Sequence, residues 1–334
     1  VSAVSDADAN GGWPDVDVVM PIRNEAAHLA DAVGAVRAQD YPGVVRIYLG
    51  VGPSDDGTER IAAELAALDD RIVVVDNPGG STPCALNLAI DCGSAPVVVR
   101  VDGHSQLSVG YIRRAVETIR RTGAVNVGGL QVPVATTPFE ETVAAATTSW
   151  LGTGGPSYRV GGVAGPVDTV FLGVFDREAI ERVGLFDERL VRNQDYELNI
   201  RLREAGGVVW FDPELSVGYR PRSSWRALAK QYFEYGRWKA VVVRMHPESA
   251  KPRQLVPPVV VTVVAVTTGL GLFWRRRLLT LPATYAAVLL GASRRASHPV
   301  LQAAVIGVIH VTWSVGVIVG AVRSTGRRGA SGVR

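Results

Sequence analysis

The feature that most constrains this chain is an alternation in its first hundred residues: four short apolar runs separated by three amphipathic segments. Val16–Met20, Val44–Val51, Ile72–Val75 and Val97–Val101 read as strands. Between them, Glu25–Ala38 puts Leu29, Ala32, Val33 and Val36 at helical spacing, and Thr58–Leu68 and Pro83–Asp91 also read as helices. Strand–helix alternation with short connections predicts an α/β fold, a doubly wound, mostly parallel, Rossmann-like sheet with helices on both faces. Ligands of such sheets gather beyond the carboxyl ends of the strands, so the polar residues after each strand are the candidates for function.

The pattern is mixed from Tyr111 to Gly218. Arg113–Arg121 reads as helix and Asn126–Pro133 as strand, followed by a Gly-rich stretch from Gly152 to Gly165. Phe175–Val183 and Asp195–Ala205 read as helices, Val208–Phe211 as a short strand, and Ser224–Val243 as a long amphipathic helix rich in aromatics. Beyond Pro257 the runs Val259–Trp274, Leu278–Ala292 and Val300–Val322 are apolar and bounded by arginines. A membrane span needs about 20 apolar residues. The third run reaches that length, the first does so if Leu255–Pro258 are counted, and the second is short. Pro257, Pro258, Gly269, Gly271 and the placement of the arginines favour two spans, with the first run interfacial. His310, inside the third run, is costly there unless paired, and a helix–helix hydrogen bond is expected.

The resulting organisation is a flexible N-terminus (1–14), a domain over 15–245, membrane segments over 255–323 and a basic tail (324–334). Val1–Pro14 lacks a basic-then-apolar leader pattern, so the large N-terminal part is expected on the cytoplasmic side of the cytoplasmic membrane. A net charge of +3 without a basic, aromatic-interleaved stripe argues against nucleic acid as a partner. Cys84 and Cys92 lack zinc-site spacing and read as small buried thiols.

Four strand-end clusters and a helix start carry candidate chemistry. After the fourth run comes Asp102-Gly103-His104. Carboxylate and imidazole two residues apart suit Mn²⁺ or a similar cation, and an exposed turn explains the pair equally well. Asp195 opens a helix, where it is either a capping acid or a carboxylate kept ionised to act as general base. Pro21–Glu25 and Gly50–Thr58 are strand-to-helix turns, which helix capping explains as readily as nucleotide binding. Asp168, after a loop of small residues, reads either as part of a turn or as a sugar ligand.

Taken in order, Pro21-x-x-Asn24-Glu25, Ser54-Asp-Asp-Gly-Thr58, Ala85-Leu-Asn87, Asp102-x-His104 and Gln194-Asp-x-Glu-Leu198 resemble the family 2 glycosyltransferases, which carry a GT-A domain. The resemblance runs from about Val16 to Trp238. Val51–Thr58, Arg100–His104 and Asp168–Phe175 are similar in particular to the bacterial succinoglycan-type polysaccharide glycosyltransferases. It implies a catalytic domain over 15–245, with a nucleotide-sugar half (about 15–105) and an acceptor half (106–245). Pro21, Arg23, Glu25, Pro53, Asp56, Asn87 and Asp102 would bind the donor nucleotide. Asp102 and His104 would hold a divalent metal, Mn²⁺ or Mg²⁺, and Asp195 would be the catalytic base. Asp168, Gln194, Glu197, Gln231, Arg237 and Trp238 would serve the acceptor and diphosphate.

The implied reaction is an inverting transfer from a nucleoside-diphosphate sugar, UDP-sugar by preference, to a lipid-linked or polysaccharide acceptor at the inner face of the membrane. The chain departs from the family pattern at two places. His104 replaces the second acid of an Asp-x-Asp motif, and Gly52-Pro53 stands where an acidic pair usually contacts uracil. Two rival readings are a nucleotidyltransferase and an inactive membrane-tethered binding module. The first would need a Gly-rich basic loop after the first strand, which Pro21–Asn24 does not supply. The presence of both Asp102 and Asp195 opposes the second.

Overall fold

The computed structural model describes residues 12–326, with side chains to residue 322; most of the expected flexible N-terminus and of the basic tail lies outside them. The described residues form two compact units, 12–132 with 161–219 and 133–160 with 220–326. The span 15–245 read from the sequence as one domain is therefore shared between the two.

The first unit holds strands β1 (Val16–Ile22), β2 (Val45–Val51), β3 (Ile72–Asp76), β4 (Val97–Arg100), β5 (Gln106–Leu107), β6 (Asn126–Pro133), β7 (Gly165–Pro166), β8 (Phe171–Asp176) and β9 (Val209–Tyr219). They build one sheet in the order β3-β2-β1-β4-β8-β6-β9-β5, with β7 on β9. β1 pairs in parallel with β2 and β4, and β2 with β3. The α/β expectation holds in this half, and the carboxyl ends of β1 to β4 share one edge. Past β4 the sheet turns antiparallel: β8 joins both β4 and β6 that way.

Both faces are covered. On one side Val16, Val18 and Met20 pack with α1 (Leu29–Arg37), Ala62 of α2 (Thr58–Leu68) and α4 (Tyr111–Thr122). On the other, Val19 and Val98 pack with α3 (Thr82–Cys92), α8 (Arg177–Arg182) and α9 (Gln194–Glu204). Alternating side chains along β1 thus serve two cores.

The expected helix over Phe175–Val183 is corrected. Phe175 is a central-strand residue paired with Val98, and the helix starts only at Arg177. Asp176 makes the break: its carboxylate accepts from the Ala179 amide at 3.0 Å as an N-cap. The thiols are also corrected, since Cys92 is exposed and Cys84 only half-buried.

The second unit is helical. α5 (Pro138–Thr147), the one-turn α6 (Trp150–Thr153) and α7 (Ser157–Val160) fill what the sequence showed partly as a Gly-rich stretch. α10 (Trp225–Met245), α11 (Pro252–Phe273), α12 (Thr280–Ser293) and α13 (Pro299–Gly326) follow. Leu228 and Tyr232 of α10, Val143 of α5, Leu289 of α12 and Ile306 of α13 share its core. His310 is paired as expected: its ring nitrogens meet the Tyr285 hydroxyl at 2.8 Å and the Leu151 carbonyl at 2.7 Å. Two helices, Pro252–Phe273 and Pro299–Val322, are long and apolar enough to cross a membrane. α11 runs unbroken through Pro257 and Pro258. The 14 residues of α12 reach only about 21 Å.

Candidate active site

The site is built on the shared edge of β1 to β4. β4 is a strand buried on both faces, yet its last residue is Arg100, itself only 5% exposed. A buried guanidinium requires anionic partners, and two are present. Arg100 donates to Asp102 Oδ1 through Nε (3.2 Å) and Nη2 (2.9 Å). Its Nη1 donates to Asp195, 95 residues along the chain, at the first turn of α9. The guanidinium also faces the Phe186 ring, 5.9 Å from its centroid. One arginine thus joins the two acids that the sequence singled out separately.

The electrostatics follow. Burial would weaken the charge on Arg100, but Asp102 and Asp195 overcome this and hold its pKa above the ordinary value. Burial pushes Asp102 upward, yet Arg100, His104 and Arg192 together keep it below the usual carboxylate range. Asp195 goes the other way. Burial first, then the neighbouring Asp102 charge, raise it to about 6 against the pull of Arg100. Two carboxylates with pKa values pushed apart suit two separate roles.

Asp102 to Ser105 form a tight turn closed by the Ser105 amide on the Asp102 carbonyl at 2.9 Å. Gly103 fits closely there, since a Cβ would lie 2.9 Å from the Ile22 side chain and 3.0 Å from that of Glu25, which would have to shift. That approach lets His104 Nδ1 meet Glu25 Oε1 at 2.8 Å. Glu25 is held in turn by its own amide, which donates to Thr58 Oγ1 at 2.8 Å. Asp56 links the same two turns, accepting from the Ala26 and Thr58 amides, both at 3.0 Å. Its hydrogen bonds, that from the Thr58 hydroxyl foremost, lower its pKa. Arg23 reaches the Gly80 carbonyl at 3.4 Å, and a Cβ on Gly80 would meet both Arg23 and Pro53. Pro21 lies within β1 opposite Gly50.

The structure therefore brings Arg23 and Pro53 together, Glu25, Asp56 and His104 together, and Asp102 and Asp195 together. Other candidates have structural partners. The Asn87 amide is engaged with the main chain of Phe186, donating at 2.9 Å and accepting at 3.0 Å, and also bonds Glu188. It holds the loop whose ring faces Arg100. Glu197 is buried in a two-point pair with Arg201 (2.7 Å), and Gln194 is buried at the start of α9. Asp168 lies 3.8 Å from Arg203. In the second unit, Gln231 donates to the Tyr235 hydroxyl at 3.1 Å, and Arg237 stacks 5.3 Å from the Trp238 ring centroid.

Arg100 and Phe186 were missed from the sequence. The signal for Arg100 was legible, a lone charge ending a run otherwise buried on both faces, two residues before an acid. Nothing local to Phe186 marks it.

Asp102 and His104 offer one carboxylate and one imidazole, a donor set that fits Mn²⁺ or Mg²⁺. Among the described residues Asp102 and His104 do not belong to a group of three or more carboxylate, imidazole or thiol side chains whose ligand atoms all lie within 4.8 Å of one another.

Residues 17–184 match the model of the glycosyl transferase family 2 domain. The chain is 32% identical over 308 residues to the succinoglycan biosynthesis protein ExoA of Rhizobium meliloti, covering 90% of this chain and 92% of that one. It is 24% identical over 238 residues to a dolichyl N-acetyl-alpha-D-glucosaminyl phosphate 3-beta-D-2,3-diacetamido-2,3-dideoxy-beta-D-glucuronosyltransferase of Methanococcus voltae, covering 69% and 74%. Among solved structures it is similar to the mannosyltransferase PcManGT of Pyrobaculum calidifontis, in complex with GDP-Man and Mn²⁺. That match has a TM-score of 0.67 and 17% identity over 90% of this chain and 87% of the other. It is also similar to GalNAc-T7 with UDP, GalNAc and Mn²⁺, with a TM-score of 0.51 and 17% identity over 73% and 52%. The fold is the GT-A fold.

Proposed function

Because this chain belongs to glycosyl transferase family 2, we propose that it moves a sugar from a nucleoside-diphosphate sugar to an acceptor hydroxyl with inversion, using Asp195 as the base. The observation that carries this reading is the Arg100 bridge, which sets Asp102 and Asp195 side by side at the carboxyl edge of the sheet.

Arg23, Glu25, Pro53 and Asp102 bind the nucleotide half of the donor. A UDP-sugar is the preferred donor, although Gly52 lacks the acid that family members use toward uracil. One solved neighbour is described with GDP-Man and another with UDP. Asp102 and His104 would hold the divalent cation, and Glu25, on Nδ1, orients the imidazole for that role. When bound, such a cation neutralises the leaving diphosphate. Asp195 takes the proton of the acceptor hydroxyl, whose oxygen forms the new bond to the anomeric carbon as the bond to the diphosphate breaks. A carboxyl near 6 is ionised at neutral pH and still basic enough to accept that proton.

The acceptor is a lipid-linked or growing glycan. The chain attaches to the cytoplasmic membrane with catalysis on its inner face; two apolar helices long enough to cross a membrane support the attachment. The similarity to a succinoglycan biosynthesis protein supports a polysaccharide product.

A thermal-shift screen of nucleotide sugars with and without Mn²⁺ identifies the donor. Asp102→Asn is expected to lose the Mn²⁺-dependent shift, and Asp195→Asn to keep it while losing transfer. Full activity in chelator would remove the metal from the reading.

A further inference from the structure

We propose that the C-terminal helical unit enters one leaflet of an anionic bilayer and does not cross it. The inference rests on the membrane attachment proposed above and concerns how that attachment is made.

By length, α13 would serve as a span: the 24 residues Pro299–Val322 reach about 36 Å. Its neighbours contradict that role. α10 runs beside it, in the same direction, along most of that length. Leu228 and Tyr232 share a cluster with Val305, Ile306 and Ile309. Further along, the two backbones touch. A Cβ on Gly236 would run into the Trp313 carbonyl, one on Gly316 into the Phe233 carbonyl, and one on Gly320 into the Arg237 carbonyl. Glycines at helix crossings permit this close approach.

α10 carries Arg226, Lys230, Glu234, Arg237, Lys239 and Arg244. If α13 stood across the hydrocarbon, those six ionisable side chains would stand at hydrocarbon depth with it, where such residues are costly and rare. Placing α10 and α13 together at the membrane surface removes the conflict. α12 does not resolve it by crossing alone, because its 14 residues fall short of the roughly 30 Å core.

The outer surface of the unit fits a single leaflet. Among the described residues α11 is the least covered long helix: Leu255, Val259, Val263, Val266 and Leu270 are exposed, and no charge lies between Arg253 and Arg275. α13 adds Val311, Val315, Ile318 and Val322 on its uncovered side. The edges are basic. Exposed Trp274 stands with Arg275, whose guanidinium is 5.4 Å from the ring centroid; Arg276, Arg277, Arg294 and Arg295 are exposed nearby in sequence. An apolar face edged by tryptophan and arginines matches acyl chains beneath anionic headgroups.

The test places single cysteines at Arg276→Cys, His298→Cys and Val322→Cys in a Cys84→Ser/Cys92→Ser background. These positions follow α11, precede α13 and end it, so any crossing of the bilayer by these helices carries at least one of them to the far face. A membrane-impermeant maleimide is applied to right-side-out and inverted vesicles. Wild-type Cys92, which is exposed, marks the catalytic face, and detergent gives total reactivity. No site is expected to label from the face opposite Cys92, and labelling of any one from that face overturns the inference. Recovery of the chain in the soluble fraction would instead refute membrane attachment itself.

Flotation of the purified protein with phosphatidylglycerol-containing and pure phosphatidylcholine vesicles tests the headgroup. Binding to the former is expected to be at least about tenfold tighter, and to fall by a similar factor in Arg275→Gln/Arg276→Gln/Arg277→Gln. Equal binding to both vesicle types overturns the anionic assignment.

Discussion

Asp195→Asn tests the charge and the chemistry of the site together. In the folded protein the Asp195 carboxyl is raised from the usual 3.8 to about 6, mainly by burial, with Asp102 adding to the shift and Arg100 opposing it. The folded state therefore holds a proton between those values that the unfolded chain releases. Stability consequently falls as the pH rises through that window, and above about 6 the full penalty of the charged Asp195 is present. About two pH units correspond to about 3 kcal/mol. About a quarter of the side chain is exposed, and solvent screening reduces this to about 2 kcal/mol.

Asparagine keeps the shape and an oxygen acceptor for Arg100 but carries no charge. The variant is expected to be more stable than the wild type by about 2 kcal/mol at pH 8, an upshift of about 4–8 °C in the unfolding midpoint. At pH 4 the gain should vanish. Transfer should fall by about 100- to 10,000-fold. Thermal unfolding at both pH values, with product formation measured alongside, checks all three. An equal stabilisation at pH 8 and pH 4, or none at pH 8, refutes the charge argument. Transfer at the wild-type rate refutes Asp195 as the base.

Four further outcomes are expected. Wild-type kcat/KM should decline as the pH drops through about 6, because the base of the free enzyme becomes protonated; a profile flat from pH 8 to pH 5 would contradict this. Arg100→Met strips both carboxylates of their shared cation and should destabilise the protein by about 3–5 kcal/mol; Arg100→Lys should restore most of the stability but leave kcat at least about tenfold down, since one ammonium does not bridge as a guanidinium fork does. Asn87→Ala should cost about 1–3 kcal/mol through the Phe186 backbone groups it leaves unpaired; a large increase in donor KM at unchanged stability would assign Asn87 to the donor pocket rather than to holding that loop. Gly316→Leu should destabilise the helical unit by about 3 kcal/mol, because the Phe233 carbonyl occupies the space, whereas Gly269→Ala, in a helix with open space around it, should stabilise by about 0.5–1 kcal/mol; chemical denaturation distinguishes them.

Periodicity along the chain determined the first half of the fold. Hydrophobic spacing is local, and the four parallel strands and their three helices each declare themselves within ten or so residues, so the shared edge carrying Glu25, Asp56, Asp102 and His104 could be read in advance. Asp102 and Asp195 were also legible as types, because an acid after a strand and an acid opening a helix are local patterns. Their joining was not legible, since it depends on Arg100 reaching a helix 95 residues away, and on Asn87 holding the Phe186 loop against that arginine. The strand at Phe171–Asp176 was hidden for a related reason: a central strand buried on both faces has no polar alternation, and only pairing with Val98 and Val127 tells it from a buried helix. Apolar length identified the C-terminal helices, but length is blind to neighbours. Backbone contact at Gly236, Gly316 and Gly320 sets the long apolar α13 beside the charged α10, and that tertiary fact decides which of its faces is left uncovered.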